Sequence, residues 1–573
     1  MSYAVGIDLG TSNSAVAVLD DDGRPRILTT AEGSTTLPSL VWFSPSGPVV
    51  GEAAREGLDH SPDVTIFGVK RLMGRRFDHP DVRRLARVLP YELVAAPNGY
   101  TLIALGQGQT VSPEEVSALV LLELRRMAES FLGGEVVEAV ITVPAWFDTA
   151  QRQATKDAAE IAGLRVRRLL SEPTAAAFGH GAHRGERCRF VVCDLGGGTF
   201  DVAVVDVDSG VFEVLSTTGD PFLGGDDVDR AIVENLVRDV RASKGIDVSA
   251  DAGAIDRLRV AAQRAKHELS AELATSMHIP ELLLLPSGKA VEYARPLRRD
   301  EVELWSAPLF RRLESPCRDA LMRASRAADQ VDEVLLVGGM TRMPAVRRQL
   351  ARIFGREPSA VANPEEVVAV GAALEVARLD GQIDGVLIID VCSRGLSISP
   401  ASSGAGGAPS GPCDLVIGPN SVVPTREHRV FLTKQDNQQT IEFDLWEGAS
   451  TDAAANTHLG RFAVVELPQA PAGEVLALIE VTIDVDGTVR LAGTELISSQ
   501  GLSIEQLSHT GLPRAEIERL ANEHGRRGRA RTVSGASDGF APAYPARPDP
   551  RTPPSRGNDR GNDRGGDRGG DRW

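Results

Sequence analysis

Two glycine-rich loops constrain this chain more than any other feature. One is Asp8-Leu9-Gly10-Thr11 and the other Asp194-Leu195-Gly196-Gly197-Gly198-Thr199. Each follows an apolar strand, Tyr3 to Ile7 or Phe190 to Cys193, and precedes a second, Ala15 to Leu19 or Val202 to Val207. A hairpin of that kind turns backbone N–H groups inward, where they cradle phosphate oxygens. Glycine permits close backbone approach, threonine adds a hydroxyl, and aspartate can hold a metal-bound water. One such loop is weak evidence. Two in matching contexts predict a duplicated fold that grips one nucleotide between its halves.

At 573 residues the chain is too long for one core, so two or three domains are expected. A formal net charge of −17 disfavours general nucleic-acid binding, because phosphate backbones need cationic surface. Five scattered cysteines show no zinc spacing. No apolar run approaches bilayer length, and the first residues enter a strand without a signal-peptide pattern, so a cytoplasmic protein with no membrane partner is expected.

Up to about Leu379 strands and helices alternate, which predicts an α/β region. One helix is legible in detail. Ser112 caps, Pro113 takes the first position and Glu115 completes a capping box; Val116, Leu119, Val120, Leu124, Met127 and Phe131 form the buried stripe. From Leu396 to about Leu496 the pattern is all strand, with Asp486-Gly487 reading as a two-residue hairpin turn, and a β-sandwich is expected. Ser503 with Gln506 reads as a second capping box, and 514–524 as a short helix ending at Gly525. The remainder is rich in Arg, Gly, Asp and Pro and reads as disordered. An Asp in every Arg-Gly repeat cancels the charge that RNA binding needs, so a nucleic-acid partner is not expected.

Longer strings name a family. Phe67-Gly68-Val69-Lys70-Arg71-Leu72-Met73-Gly74, Ile141-Thr142-Val143-Pro144-Ala145-Trp146-Phe147, Ser171-Glu172-Pro173-Thr174, Val337-Gly338-Gly339-Met340-Thr341-Arg342 and Asn363-Pro364-Glu365-Glu366 follow in this order. Together they closely resemble the bacterial-type 70-kDa heat-shock chaperone family. Sugar kinases and actin-like filament proteins share the phosphate loops, but not these strings.

The resemblance implies an actin-like, two-lobed ATPase domain at 1–383, an apolar linker at 384–391 and a β-sandwich peptide-binding domain at 392–500. A short helical remnant of a lid at 501–525 and a disordered tail at 526–573 would follow. Mg-ATP or ADP would lie in the cleft, with K+ as an additional cation. On this resemblance Asp8 and Asp194 hold hydrated magnesium. Gly10, Thr11, Ser12, Asn13, Gly196, Gly197, Gly198 and Thr199 bind phosphates. Lys70 stabilises charge at the γ-phosphate and orients the attacking water, with Glu172 and Asp201 as the remaining acids. The adenosine clamp maps to Gln263, Lys266, His267, Ser270, Gly338, Gly339 and Arg342. Gln263 and His267 depart from the usual Glu and Arg or Ile, which implies weaker nucleotide affinity.

For coupling, Pro144 and Arg152 match relay positions, Leu387 and Ile388 match the docking linker, and Arg168 with Asp390 match positions used by J-domain co-chaperones. A nucleotide exchange factor is a further implied partner. Ser171 and Gly385 replace the Asn and Asp common in relatives. Clients would be extended apolar segments of unfolded polypeptides, held in a pocket of Phe431, Ile441, Phe443 and Ile479 with Gln438 on the peptide backbone. The same residues also read as plain sandwich core. A Gly/Ser/Ala/Pro-rich insertion from Pro400 to Pro412, Lys434 at an arch position, Ala472 in place of a latching Arg, and the missing lid all depart from the family. The expectation is therefore an ATP-hydrolysing chaperone with a reduced client half. The alternative is an ATP-gated adaptor for one dedicated partner.

Overall fold

The computed structural model describes residues 2–20, 22–181, 187–285, 287–359, 363–401, 412–506 and 511–534. The insertion residues Gly404, Gly406, Gly407 and Gly411, and the tail beyond 534, lie outside them. Two sheets repeat one plan. In the first, Ser2–Asp8 pairs antiparallel with Asn13–Leu19 and parallel with Glu135–Val143. In the second, Cys188–Leu195 pairs antiparallel with Phe200–Asp208 and parallel with Glu333–Val337. Each glycine-rich loop is thus the connection of a central hairpin, as the duplicated strings predict. The central strands are apolar on both faces because helices cover both sides.

The halves meet along small residues. Helix Val367–Leu379 lies on both strand Ser2–Asp8 and helix Glu172–Gly181. A Cβ at Gly371 would come 1.9 Å from the Ala175 carbonyl oxygen, and one at Gly6 would come 2.1 Å from the Ala373 nitrogen. Only glycine permits this approach, and it draws the roots of both loops to one place.

Helix Pro113–Leu132 forms as expected, with its six stripe residues buried and Gly133 ending it at φ 66. Ser112 accepts from the Glu115 N–H at 3.1 Å. The capping box is not completed, because the Glu115 carboxylate turns to His524 instead, 3.2 Å away.

Eight antiparallel strands between Leu396 and Gln506 form one curled sheet. Its edge strands Asp414–Ile417 and Thr425–Leu432 meet where the Arg429 guanidinium donates to the Leu415 carbonyl, so the sheet is nearly closed. The ladder ends at Ile483↔Val489, so the Asp486-Gly487 connection spans five residues rather than two. The expected helix start at Ser503 and Gln506 is instead strand Gly501–Gln506, paired to Thr457–Val465. Leu502 and Ile504 alternate with polar residues and pack on the sandwich core, a period-2 pattern that overrides the capping-box signature.

The last helix, Arg514–Ser534, runs through Gly525, beyond the expected stop. Ile517, Leu520 and His524 share one face and are buried. The first two join the core of the first half, and Arg514 pairs with Glu160 at 2.6 Å. Tertiary burial of this face supplies what Gly525 takes away from the helix. Among the described residues no helix is long and apolar enough to cross a membrane.

Candidate nucleotide cleft

Between the two halves lies a cleft of 1120 Å³ lined by both glycine-rich loops. Asp8, Gly10, Thr11, Ser12, Asn13, Lys70, Glu172, Asp194, Gly196, Gly197 and Thr199 face it where the two loops meet. Gln263, Lys266, His267, Ser270, Gly338, Gly339 and Arg342 line it further along. Of the expected phosphate and nucleoside residues, Gly198 and Asp201 stand behind this wall. The loops touch: a Cβ at Gly197 would fall 2.0 Å from the Ser12 hydroxyl.

Lys70 is buried on the short turn Val69–Arg71. Its Nζ donates to the Leu9 carbonyl and, at 2.5 Å, to Glu172 Oε1. Four carboxylates gather around it. Burial, then the Glu172 charge, raises Asp8 to about 6 and Asp201 to about 7. Asp194 is held well above the carboxylate range by burial and by Glu172, Asp201 and Asp8. Thr142 donates to Asp8 at 2.8 Å, and the Trp146 N–H donates to Asp201 Oδ1 at 3.2 Å. Asp201 Oδ2 is buried without a partner.

One lysine against this much buried negative charge leaves room for a further cation. Asp8 and Asp194 bring carboxylate oxygens to the cleft, and hard oxygen donors of this kind favour a hard cation that keeps part of its water shell. The donor set therefore suits hydrated Mg2+.

Further along the cleft Lys266 is already engaged, with Asp229 at 2.8 Å and the Gly225 carbonyl at 3.0 Å. Ser270 donates to the Lys266 carbonyl at 3.0 Å. Burial, then Lys266, lowers the His267 pKa, favouring a neutral ring beside the cleft. Arg342 pairs with Glu365 at 3.1 Å, a contact that no motif announces.

The positions expected to couple the cleft to the linker fall in several separate contacts. Pro144 lines a small cavity with Lys70, Trp146 and Thr199. Arg152 donates to the Phe147 carbonyl at 3.1 Å and to the Asp486 carbonyl of the sandwich at 3.0 Å. The Asp486 carboxylate pairs with Lys156 at 2.6 Å and accepts from the Leu169 N–H at 2.9 Å. Segment Leu387–Val391 adds as a parallel strand beside Val211–Asp220, with Ile388 buried and Leu387 half exposed. Arg168 pairs with Glu375 at 2.6 Å, whereas Asp390 accepts from Thr174 at 3.3 Å.

In the sandwich, Ile441, Phe443 and Ile479 are core residues, and Phe431 stacks on Phe443 at 5.4 Å. Gln438 closes its own loop, accepting from the Lys434 N–H and donating to the Thr440 carbonyl, both at 2.7 Å.

Glu447 belongs to no motif in the sequence. Its Oε1 accepts from the Thr149 N–H at 3.2 Å, next to buried Asp148, which pairs with Arg75 at 2.5 Å. Burial, then the Asp148 charge, pushes Glu447 up to about 7, while Arg394 and Arg75 pull it down. Its ordinary value returns once the sandwich leaves this surface, so docking takes up a proton. Docking is thus strongest below the usual Glu range and weakens as pH rises through about 7. Amide exchange of Leu387–Val391 should be slower at pH 6 than at pH 8 by about tenfold after correction for intrinsic rates. Glu447→Gln should remove that difference; a slope that persists places the proton elsewhere.

A family model described as Hsp70 protein matches residues 4–531. Members of that family are ATPases that bind ATP or ADP with Mg2+, and they act in general as ATP-dependent chaperones on unfolded client peptides together with co-chaperones. With both loops, the buried lysine and the acid cluster assembled in one cleft, this chain belongs to the Hsp70 protein family.

Proposed function

We propose that this chain hydrolyses Mg-ATP in the cleft and couples hydrolysis, through Leu387–Val391, to the grip of its sandwich on extended apolar peptide. The carrying observation is the convergence of both glycine-rich loops on Lys70 and Glu172 within one cleft. Thr11, Ser12, Asn13 and the Gly196–Thr199 loop would bind phosphates through N–H and hydroxyl groups. Asp8 and Asp194 would hold hydrated Mg2+, whose positive charge would offset the negative charge of the phosphates. Lys70 exchanges its bond to Glu172 for one to the γ-phosphate and stabilises charge developing there. Lys70 also orients the attacking water, with Glu172 beside it in the cleft and Asp201 acting from behind the wall. Gln263, His267, Arg342, Gly338 and Gly339 receive the nucleoside, and neutral Gln263 offers a ribose hydroxyl a weaker bond than a carboxylate does.

Opening the cleft would withdraw strand Val211–Asp220 from Leu387–Val391 and so free the linker and sandwich. A J-domain co-chaperone would act at Arg168 and Asp390, and an exchange factor would promote nucleotide release. The adaptor reading is favoured by one specific arrangement: Phe443 and Ile479 are filled core and Gln438 is turned into its own loop. Single-turnover ATP hydrolysis with and without a short apolar peptide separates the two. Acceleration by peptide supports the chaperone. Hydrolysis indifferent to peptide leaves an ATP-gated adaptor, and absence of hydrolysis overturns both.

A further inference from the structure

Arg71 follows Lys70 on the turn Val69–Arg71, yet the two side chains serve opposite halves of the molecule. Lys70 stays with the Leu9 carbonyl and Glu172. Arg71 crosses the cleft. Its Nη2 donates to the Gly198 carbonyl at 2.6 Å and to Asp227 Oδ2 at 3.0 Å, and its Nη1 lies 3.8 Å from Asp226. Asp227 caps helix Gly225–Lys244, accepting from the Gly224 N–H at 3.0 Å. The Arg71 and Asp227 side chains are 7% and 1% exposed, so this is a buried ion pair. Asp227 also pairs with Arg230 on its own helix, so removing Arg71 takes away the one cationic partner that reaches it from the other half.

The Gly198 contact has a directional consequence. In a planar trans peptide the C=O and the following N–H point to opposite sides. A guanidinium holding the Gly198 carbonyl therefore fixes the Thr199 N–H on the side away from Arg71. Thr199 lines the cleft, and the guanidinium packs so closely that a Cβ at Gly198 would come 2.8 Å from Arg71 Nε. Nη2 alone makes both short bonds and Nη1 faces Asp226, so the guanidinium bears on a carbonyl and two carboxylates together, of which a single ammonium nitrogen can replace only the Nη2 contacts.

We propose that Arg71 is a positioning residue: it ties the Gly198–Thr199 peptide unit and the start of helix Gly225–Lys244 to the turn that carries Lys70. Lys70 then reaches the γ-phosphate only when the two halves are closed. This rests on the ATPase reading above.

The test uses the full chain with Mg-ATP and a fluorescently labelled ATP. Arg71→Ala should slow single-turnover hydrolysis at saturating ATP by roughly 30-fold or more and speed release of labelled ATP by about tenfold, as loss of a buried charge pair acts mainly on dissociation. Arg71→Lys, whose one ammonium can replace Nη2 but not Nη1, should recover both only in part. About 10 mM guanidinium should restore hydrolysis in Arg71→Ala but not in Lys70→Ala, a readout that a merely structural role does not give. Asp227→Asn removes the contact from the other half without touching the catalytic turn, and its effect on release should not add to that of Arg71→Ala. Wild-type hydrolysis and release rates in Arg71→Ala overturn the proposal. If the wild-type chain binds labelled ATP but does not hydrolyse it, the ATPase reading fails, and unchanged release in Arg71→Ala overturns the latch separately. Failure of the wild type to bind labelled ATP sinks both.

Discussion

Replacing Lys70 with Ala should lower single-turnover ATP hydrolysis by roughly 100- to 1000-fold while leaving nucleotide bound. The expected loss is electrostatic in origin. Lys70 Nζ lies in a buried site beside Glu172, and its charge pulls down the pKa of Asp8, Asp194 and Asp201 against the burial that raises them. Charge on a transferring phosphoryl group is stabilised best by a cation already desolvated and positioned, since no solvent must reorganise during reaction. Phosphate binding through the loop N–H groups does not need the lysine, so affinity for labelled ATP should hold. Lys70→Ala also leaves Glu172 without its ion-pair partner, so thermal unfolding of the variant belongs beside the kinetics. Normal turnover in a folded Lys70→Ala chain would remove Lys70 from the catalytic set.

The second large effect is expected at Asp486. Asp486→Ala deletes the acceptor of the Leu169 N–H and the partner of Lys156, both at the contact of the sandwich with the first half. The Asp486 side chain is 13% exposed, so these bonds are poorly screened. Losing one partner of a desolvated pair costs about 2 to 5 kcal/mol, enough to shift docking by more than roughly tenfold. Hydrogen exchange of Leu387–Val391 should accelerate, and the radius of gyration should rise as the sandwich separates. ATP hydrolysis should continue, no longer responsive to the sandwich. Unchanged exchange would mean that Arg152, through the Asp486 carbonyl, holds the interface without the carboxylate.

Several local features are legible in the amino-acid order alone. The Ser112 cap, the stripe of helix Pro113–Leu132 and the two hairpin loops follow from short-range rules about caps, period and glycine. Where the fold departs from those rules, the causes are physical. Glu115 leaves its capping box because His524, 409 positions away, offers a buried partner. Ser503 and Gln506 mimic a helix start, but Leu502 and Ile504 gain more by covering the sandwich core. Gly525 does not stop the last helix, whose Ile517 and Leu520 are anchored on the first half.

The sequence by itself determined the chemistry available: two glycine-rich loops, a lysine, a set of acids and an apolar linker, each encoded within a few consecutive residues. Only the tertiary structure decided which of these groups share a site. Lys70 meets Glu172 across 102 positions and Arg71 meets Gly198 across 127. Glu447 reaches Thr149 across 298 positions and Asp486 reaches Leu169 across 317. Such pairings depend on how whole sheets stack and on the desolvation that stacking brings. Neither leaves a periodic trace along the chain. A buried carboxylate at an interface therefore looks in sequence like any surface acid, and its altered proton affinity emerges only when its neighbours are assembled.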